Sequence, residues 1–277
     1  MLYFPKRFFA WFDSTLGTNR KVMKLQLTHG SLFSGVGGFE LGARMSGIET
    51  VWNCEFEEHN RNILKKNFPN TKQYNDVRIM ENVEYVDIIS GGFPCQDLSI
   101  ANVSNKEIWN DGKVKGIKGK RSGLWSEMWR ICRQIRPKYI LIENSPMLLV
   151  RGFEQVLFDL CEIGYVCEWQ CLHASQFGFN HKRERFFGIA YPIEKRCVYN
   201  TSIFRKLQEV LPKQTPRQNF ISMPTQRFNS QSNYESVRMD DGFSRELDKR
   251  RIEMMGNAVI PDIVHYLFEC VKFHNEK

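Results

Sequence analysis

Apolar positions gather in short runs bounded by turn residues: Leu25 to Phe33, Thr50 to Phe56, Tyr85 to Ser90, Tyr139 to Ile142, Tyr165 to Leu172 and Phe186 to Tyr191. Runs of this length, rich in β-branched and aromatic residues, read as strands of a covered sheet. Between them, Phe39 to Met45, Glu57 to Asn67, Gly123 to Ile135 and Phe153 to Ile163 carry apolar residues at helical spacing. The alternation predicts an α/β fold with a parallel, doubly wound sheet. Ligands of such sheets bind at the C-terminal ends of the strands, so the residues just after each run are the candidates for chemistry.

Two stretches break the alternation. Residues 99–121 are polar and carry Lys106, Lys113, Lys115, Lys118, Lys120 and Arg121 against Glu107 and Asp111. A loop of that length inside a compact domain is usually either functional or disordered. Residues 192–245 are rich in Gln, Asn, Ser, Thr, Arg and Pro and read as a small lobe, after which Pro261 to Phe273 has the pattern of a core helix. The organisation expected is an extension of unclear role at 1–22, a main domain at 23–191, the lobe at 192–245 and a returning segment at 246–277. Met23 directly precedes the first strand and is a candidate natural start.

Composition narrows the class. The 277 residues are 42% hydrophobic and 25% charged, which is globular, and no apolar run is long enough for a membrane span. Lys and Arg exceed Asp and Glu by 39 to 31, a net charge of +8 that favours a polyanionic partner. The 8 cysteines include no C-x-x-C pair, which argues against zinc, and the absence of a secretory pattern is read as a reducing, cytoplasmic setting. Cys132 and Cys161 sit inside apolar stretches and are expected to be buried core thiols.

The first run ends in Phe33-Ser34-Gly35-Val36-Gly37-Gly38-Phe39-Glu40. Glycines at a strand-to-helix turn let backbone amides approach a ligand at the helix N-terminus. Glu40 stands where a dinucleotide fingerprint has its third glycine, so a pyrophosphate cradle is disfavoured. Glu55, at the end of the second run, is placed to accept hydrogen bonds from ribose hydroxyls, and Phe56 to cover an adenine face. A nucleoside cofactor without a pyrophosphate fits both.

The third run leads into Gly91-Gly92-Phe93-Pro94-Cys95-Gln96-Asp97-Leu98-Ser99. A cysteine at a strand's C-terminal end, behind glycines and a stiffening proline, has the position of an exposed nucleophile. Leu141-Ile142-Glu143-Asn144-Ser145 puts Glu143 at the end of an apolar strand, where desolvation raises a carboxyl pKa towards neutrality. His181-Lys182-Arg183-Glu184-Arg185 places fixed planar cations at another strand boundary.

These blocks together resemble the DNA cytosine-5 methyltransferase family. The stretch Phe33 to Phe39 resembles its S-adenosylmethionine loop, and Gly92 to Ser99 its nucleophile loop. Glu143-Asn144-Ser145 is similar to its E-N-V block, with serine for valine, and Asn180 to Arg185 to its Q-x-R-x-R block, with His181 for glutamine. Gly256-Asn257-Ala258-Val259-Ile260-Pro261 matches its last block. The resemblance implies a Rossmann-like methyltransferase sheet with a small target-recognition lobe. It implies Cys95 as the nucleophile on carbon 6 of a flipped-out cytosine in duplex DNA, Glu143 on ring nitrogen 3, and Arg183 or Arg185 on the base. For the cofactor, S-adenosyl-L-methionine, it implies Phe33, Ser34, Gly35, Gly37, Gly38, Glu55 at the ribose, Phe56 at the adenine face, Asp76 at the adenine amino group, Val77, Asn257, Ala258 and Val259. It also implies a chain that works as a monomer, without membrane association, in restriction-modification or phage self-protection. Arg238 to Phe243, leading through Arg250-Arg251-Ile252 to Gly256, resembles compact phage and prophage members.

Other classes fit less well. Amino-group methyltransferases need a D/N-P-P-Y/F motif, which the chain lacks. The same chemistry on transfer RNA is disfavoured by Gln96-Asp97-Leu98 after Cys95, and a silent binding protein by the intact Cys95, Glu143 and Arg183.

Overall fold

The computed structural model describes residues 27–94, 123–179, 181–198, 202–210 and 258–276. Its strands are β1 (Thr28–Leu32), β2 (Glu49–Cys54), β3 (Lys72–Tyr74), β4 (Ile88–Gly91), β5 (Tyr139–Asn144), β6 (Tyr165–His173) and β7 (Glu184–Pro192). Its helices are α1 (Gly38–Met45), α2 (Glu58–Asn67), α3 (Leu124–Ile135), α4 (Phe153–Glu162), α5 (Ile193–Val198), α6 (Arg205–Val210) and α7 (Pro261–Asn275). One seven-stranded sheet runs in the order β3-β2-β1-β4-β5-β7-β6. The expected α/β sheet is therefore present, doubly wound, with an apolar layer on each face.

Central strands are buried throughout, as their continuous apolar runs require: every residue of β4 and β5 is buried. On one face Met128, Ile131 and Ile135 of α3 and Val156 and Leu160 of α4 pack with Ile89, Ile140 and Ile142 of the sheet. On the other, Phe39 and Ala43 of α1 and Val264, Leu267 and Phe268 of α7 pack with Ile88, Tyr139 and Leu141. Gly42 lets α1 approach α7, since a Cβ there would lie 2.5 Å from Val264. The basic loop 99–121, most of 192–245 and the extension 1–22 lie outside the described residues. The start of the 192–245 stretch is described, and its Ile203, Phe204 and Leu207 bury in the α7 side of the core.

Three particulars differ from the sequence expectation. The sheet is not wholly parallel: β7 pairs antiparallel with both β5 and β6. A parallel return needs a crossover of a dozen or more residues, and the described part of the β6–β7 connection carries only a 3-10 turn, Ala174–Phe177. Strand β3 is too short and polar, Lys-Gln-Tyr, to announce itself as an apolar run. Cys161 is exposed, unlike buried Cys132. The buried stripe of α4 is Phe153, Val156 and Leu160, and one residue further round the helix turns Cys161 away from it.

A polar layer lies beneath α1. His29 is fully buried on β1, with Nδ1 2.9 Å from Thr50 Oγ1 and Nε2 2.7 Å from Ser90 Oγ. Burial pushes its pKa down to about 3, so the ring is neutral. Glu40 of α1 is also fully buried, and burial pushes its carboxyl up to about 7, with the hydroxyls of Ser34 and Ser31 opposing the shift. Between the ordinary glutamate value of 4.5 and about 7, the unfolded chain releases this proton while the folded chain keeps it, so stability from Glu40 falls as pH rises through that window. The interval corresponds to about 3 kcal/mol. Glu40→Gln is isosteric and cannot ionise. Its unfolding free energy relative to wild type is expected to climb by about that amount between pH 5 and pH 8, measured by urea titration at several pH values. A difference independent of pH would show that Glu40 is not a buried neutral acid.

Candidate active site

The C-terminal ends of β1, β2, β4 and β5, and the start of antiparallel β7, meet along one rim of the sheet. Two clusters form there. The first lies at β1 and β2. Phe33 follows β1 with φ of 55°, a left-handed conformation that a phenylalanine does not adopt without strain and that is held here by neighbouring structure. The Ser34 amide donates to the Cys54 carbonyl at 3.1 Å, and the Gly37 amide to the Ser34 carbonyl at 3.0 Å. Glu55, just past β2, reaches back across this turn: one carboxylate oxygen accepts from the Gly35 amide at 2.7 Å and the other from the Glu57 amide at 2.8 Å. Phe56 beside it is 63% exposed, unusual for a phenylalanine and open to a flat ligand.

Asp76 caps the 3-10 turn Val77–Ile79 by accepting from the Arg78 amide at 3.0 Å, and Val77 is buried behind it. The Arg78 guanidinium hydrogen-bonds both Asp76 oxygens and holds that carboxyl below the usual range. From the far end of the chain, the Val259 carbonyl oxygen lies 2.5 Å from where a Cβ on Gly38 would stand. Only glycine admits this approach, which ties the segment of Ala258 and Val259 to the glycine turn. Ala258 and Val259 are partly buried; Asn257 lies outside the described residues.

The second cluster lies at β4, β5 and β7. Glu143, the penultimate residue of β5, is opposite Phe187 of β7 and is only 7% exposed. Arg185 Nε stands 3.1 Å from its Oε1. Burial raises the Glu143 pKa, and the positive charges of Arg185 and Arg183 draw it back down. Arg183 is itself largely buried, and its guanidinium pKa is lowered by desolvation and by Arg185. Gly92 makes room for the acid, because a Cβ there would lie 2.7 Å from Glu143 Oε2. Asn144 Nδ2 donates to the Phe93 carbonyl at 3.3 Å, and Phe93 is buried against Trp125 at 5.4 Å between ring centroids. The turn Gly92–Pro94 is thus pinned against the end of β5. Cys95, the next residue, lies outside the described residues.

The matching family model spans residues 27–243, most of the chain, and describes a C-5 cytosine-specific DNA methylase. The chain belongs to the C-5 cytosine-specific DNA methylase family. Among relatives of the chain, the type II methyltransferase M.CviJI of a Paramecium bursaria Chlorella virus is 30% identical over 242 residues, covering 86% of this chain and 57% of that protein. The type II methyltransferase M2.BsuMI of Bacillus subtilis is 35% identical over 168 residues, 58% of this chain and 41% of that one. The chain spans about half the length of these relatives. A prophage-encoded E. coli protein described as a DNA modification methyltransferase superposes with a TM-score of 0.51 at 26% identity, over 64% of this chain and 49% of the other. Entamoeba histolytica methyltransferase EhMeth shares the fold, with a TM-score of 0.57 at 16% identity over 91% of this chain and 99% of its own.

Of the predicted set, the described residues Phe33, Ser34, Gly35, Gly37, Gly38, Glu55, Phe56, Asp76, Val77, Ala258 and Val259 lie in the first cluster, and Glu143, Arg183 and Arg185 in the second. The structure adds residues that the motif reading left without a part. Asn144 anchors the turn before Cys95, and Arg78 engages Asp76. Asn144 was visible in the Glu143-Asn144-Ser145 block, whereas Arg78, one exposed arginine among many, carried no signal.

Proposed function

We propose that the chain is a DNA cytosine-5 methyltransferase that transfers a methyl group from S-adenosyl-L-methionine to carbon 5 of a cytosine flipped out of duplex DNA. The observation that carries this reading is buried Glu143, paired with partly buried Arg185 and set against the pinned turn that leads directly into Cys95. The first cluster fits the cofactor: an exposed aromatic ring at Phe56, carboxylates at Glu55 and Asp76, and a glycine turn closed by Val259. When bound, the cofactor supplies an electrophilic methyl on a sulfonium.

Cys95, as thiolate, forms a bond from Sγ to carbon 6 of the base. The electron pair of the 5,6 double bond moves towards carbon 5, and Glu143 gives a proton to ring nitrogen 3 so that no full negative charge accumulates. Arg185, and Arg183 behind it, hold the acid and the base edge in register. Carbon 5 takes the methyl group, with S-adenosylhomocysteine as the leaving group, and then loses its proton to a base; the returning electron pair re-forms the double bond and expels the thiolate, while ring nitrogen 3 gives its proton back to Glu143. Flipping the base costs a few kcal/mol, offset by contacts to the emptied duplex.

The lysine-rich loop 99–121 is assigned to phosphate contacts and the 192–245 stretch to base readout, with a role in restriction-modification or phage self-protection in a reducing cytoplasm. Tritiated methyl transfer to duplex DNA and to transfer RNA tests the substrate. Label in duplex DNA alone is expected, with binding that weakens steeply as salt is raised; label only in transfer RNA would overturn the assignment. Bisulfite sequencing of host DNA then reads the recognised site.

A further inference from the structure

The geometry points to Arg78 as a built-in competitor for the adenine position of the cofactor site, a residue that sets how tightly the cofactor is held. The inference rests on the cofactor reading above. An adenine ring bound here has to meet two groups at once, the face of Phe56 and the carboxylate of Asp76. The Arg78 guanidinium already meets both. Its Nε lies 2.9 Å from Oδ1 and 3.0 Å from Oδ2 of Asp76, and its second terminal nitrogen lies 2.6 Å from Oδ2. Its central carbon stands 5.4 Å from the centroid of the Phe56 ring, within cation–π range.

Chemically, the guanidinium copies what adenine offers: a flat, delocalised group with N–H donors along one edge, one face open to an aromatic ring. Lysine lacks the plane and the fork, and would copy it poorly. Because one guanidinium engages both the ring and the carboxylate, adenine can meet the two together only as Arg78 swings aside. The swing is physically cheap. Arg78 is anchored to the turn by its backbone amide, which keeps its own bond to Asp76 at 3.0 Å, while its side chain is 57% exposed. Exposed ion pairs and exposed cation–π contacts are individually weak, so the competition tunes affinity without closing the site.

Titration calorimetry with S-adenosylhomocysteine as the probe tests this on the full chain, with no DNA and no turnover. Arg78→Ala is expected to bind about three- to tenfold more tightly than wild type, and Arg78→Lys to fall between the two. The gap is electrostatic in origin, so it should narrow as salt rises from 50 mM to 500 mM, chiefly because the wild-type affinity improves. An Arg78→Ala protein that binds equally or more weakly, or a gap indifferent to salt, overturns the inference. Asp76→Asn separates the two readings. If wild type binds the probe and Asp76→Asn weakens it while Arg78→Ala does nothing, the cofactor site stands and the competitor falls. If no variant binds the probe at all, the cofactor reading fails and the competitor with it.

Discussion

Cys95→Ala is expected to lower methyl transfer to duplex DNA by about 10⁴-fold or more, the scale of loss when a covalent nucleophile is removed. Burial pushes the Cys54, Cys167 and Cys270 thiols up to about 12, which leaves almost no thiolate at neutral pH. Burial also raises the thiol pKa of Cys132 and Cys171, which holds them as thiols. Cys161 is exposed, but on α4, which packs over the face of the sheet away from the rim. The substitution spares the cofactor cluster, so S-adenosylhomocysteine affinity should stay within a factor of about two. Duplex DNA containing 5-fluorocytosine gives the decisive readout. After methylation, carbon 5 holds fluorine where a proton would leave, the thiolate is not expelled, and wild type should remain attached through denaturing electrophoresis. Cys95→Ala should leave no adduct. Transfer that survives the substitution, or an adduct formed by the variant, would remove Cys95 from the chemistry.

How much of this was readable in the chain differs by kind of information. The strands and helices that carry the core were legible because burial on both faces of β4 and β5 writes itself as adjacent apolar residues, Ile88-Ile89 and Tyr139 to Ile142. The direction of β7 was not, since an apolar run looks the same whichever way it enters the sheet; only the crossover distinguishes them. The candidate site was legible where an acid ends or follows an apolar strand, as with Glu143 and Glu55. Pairwise geometry was not. The sequence offers Arg183 and Arg185 as equals two positions apart, yet the antiparallel register puts Arg185 beside the acid at 3.1 Å. Gly92 carries information of a third sort. Its value is the absence of a Cβ 2.7 Å from a carboxylate oxygen on another strand, a contact no local pattern encodes. The same holds for Glu40, whose place beside the glycine turn was legible while its burial on the inner face of α1 was a property of packing.

Glu143→Gln is expected to lower the rate of methyl transfer by about 10²- to 10⁴-fold, the range for loss of a positioned general acid. The amide keeps the shape and can still donate a hydrogen bond, but it cannot deliver a proton to ring nitrogen 3, so charge builds on the base as Cys95 adds. The pH dependence separates this from simple mispositioning. Burial raises the Glu143 pKa, with Arg185 and Arg183 opposing, so the protonated acid persists to higher pH than an ordinary glutamate and is lost as pH rises through that raised value. Wild-type kcat/KM should therefore fall on the alkaline side of a limb that Glu143→Gln lacks. Removing the guanidinium in Arg185→Ala takes away the nearest stabiliser of the carboxylate, and the same limb should move to higher pH even as the rate drops through looser positioning. A limb unchanged in Glu143→Gln would assign it to another group. A limb that moves to lower pH in Arg185→Ala would mean that desolvation, which keeps Glu143 protonated, is undone by water entering where the arginine stood, and that Arg185 serves the acid by sealing the site and not through its charge.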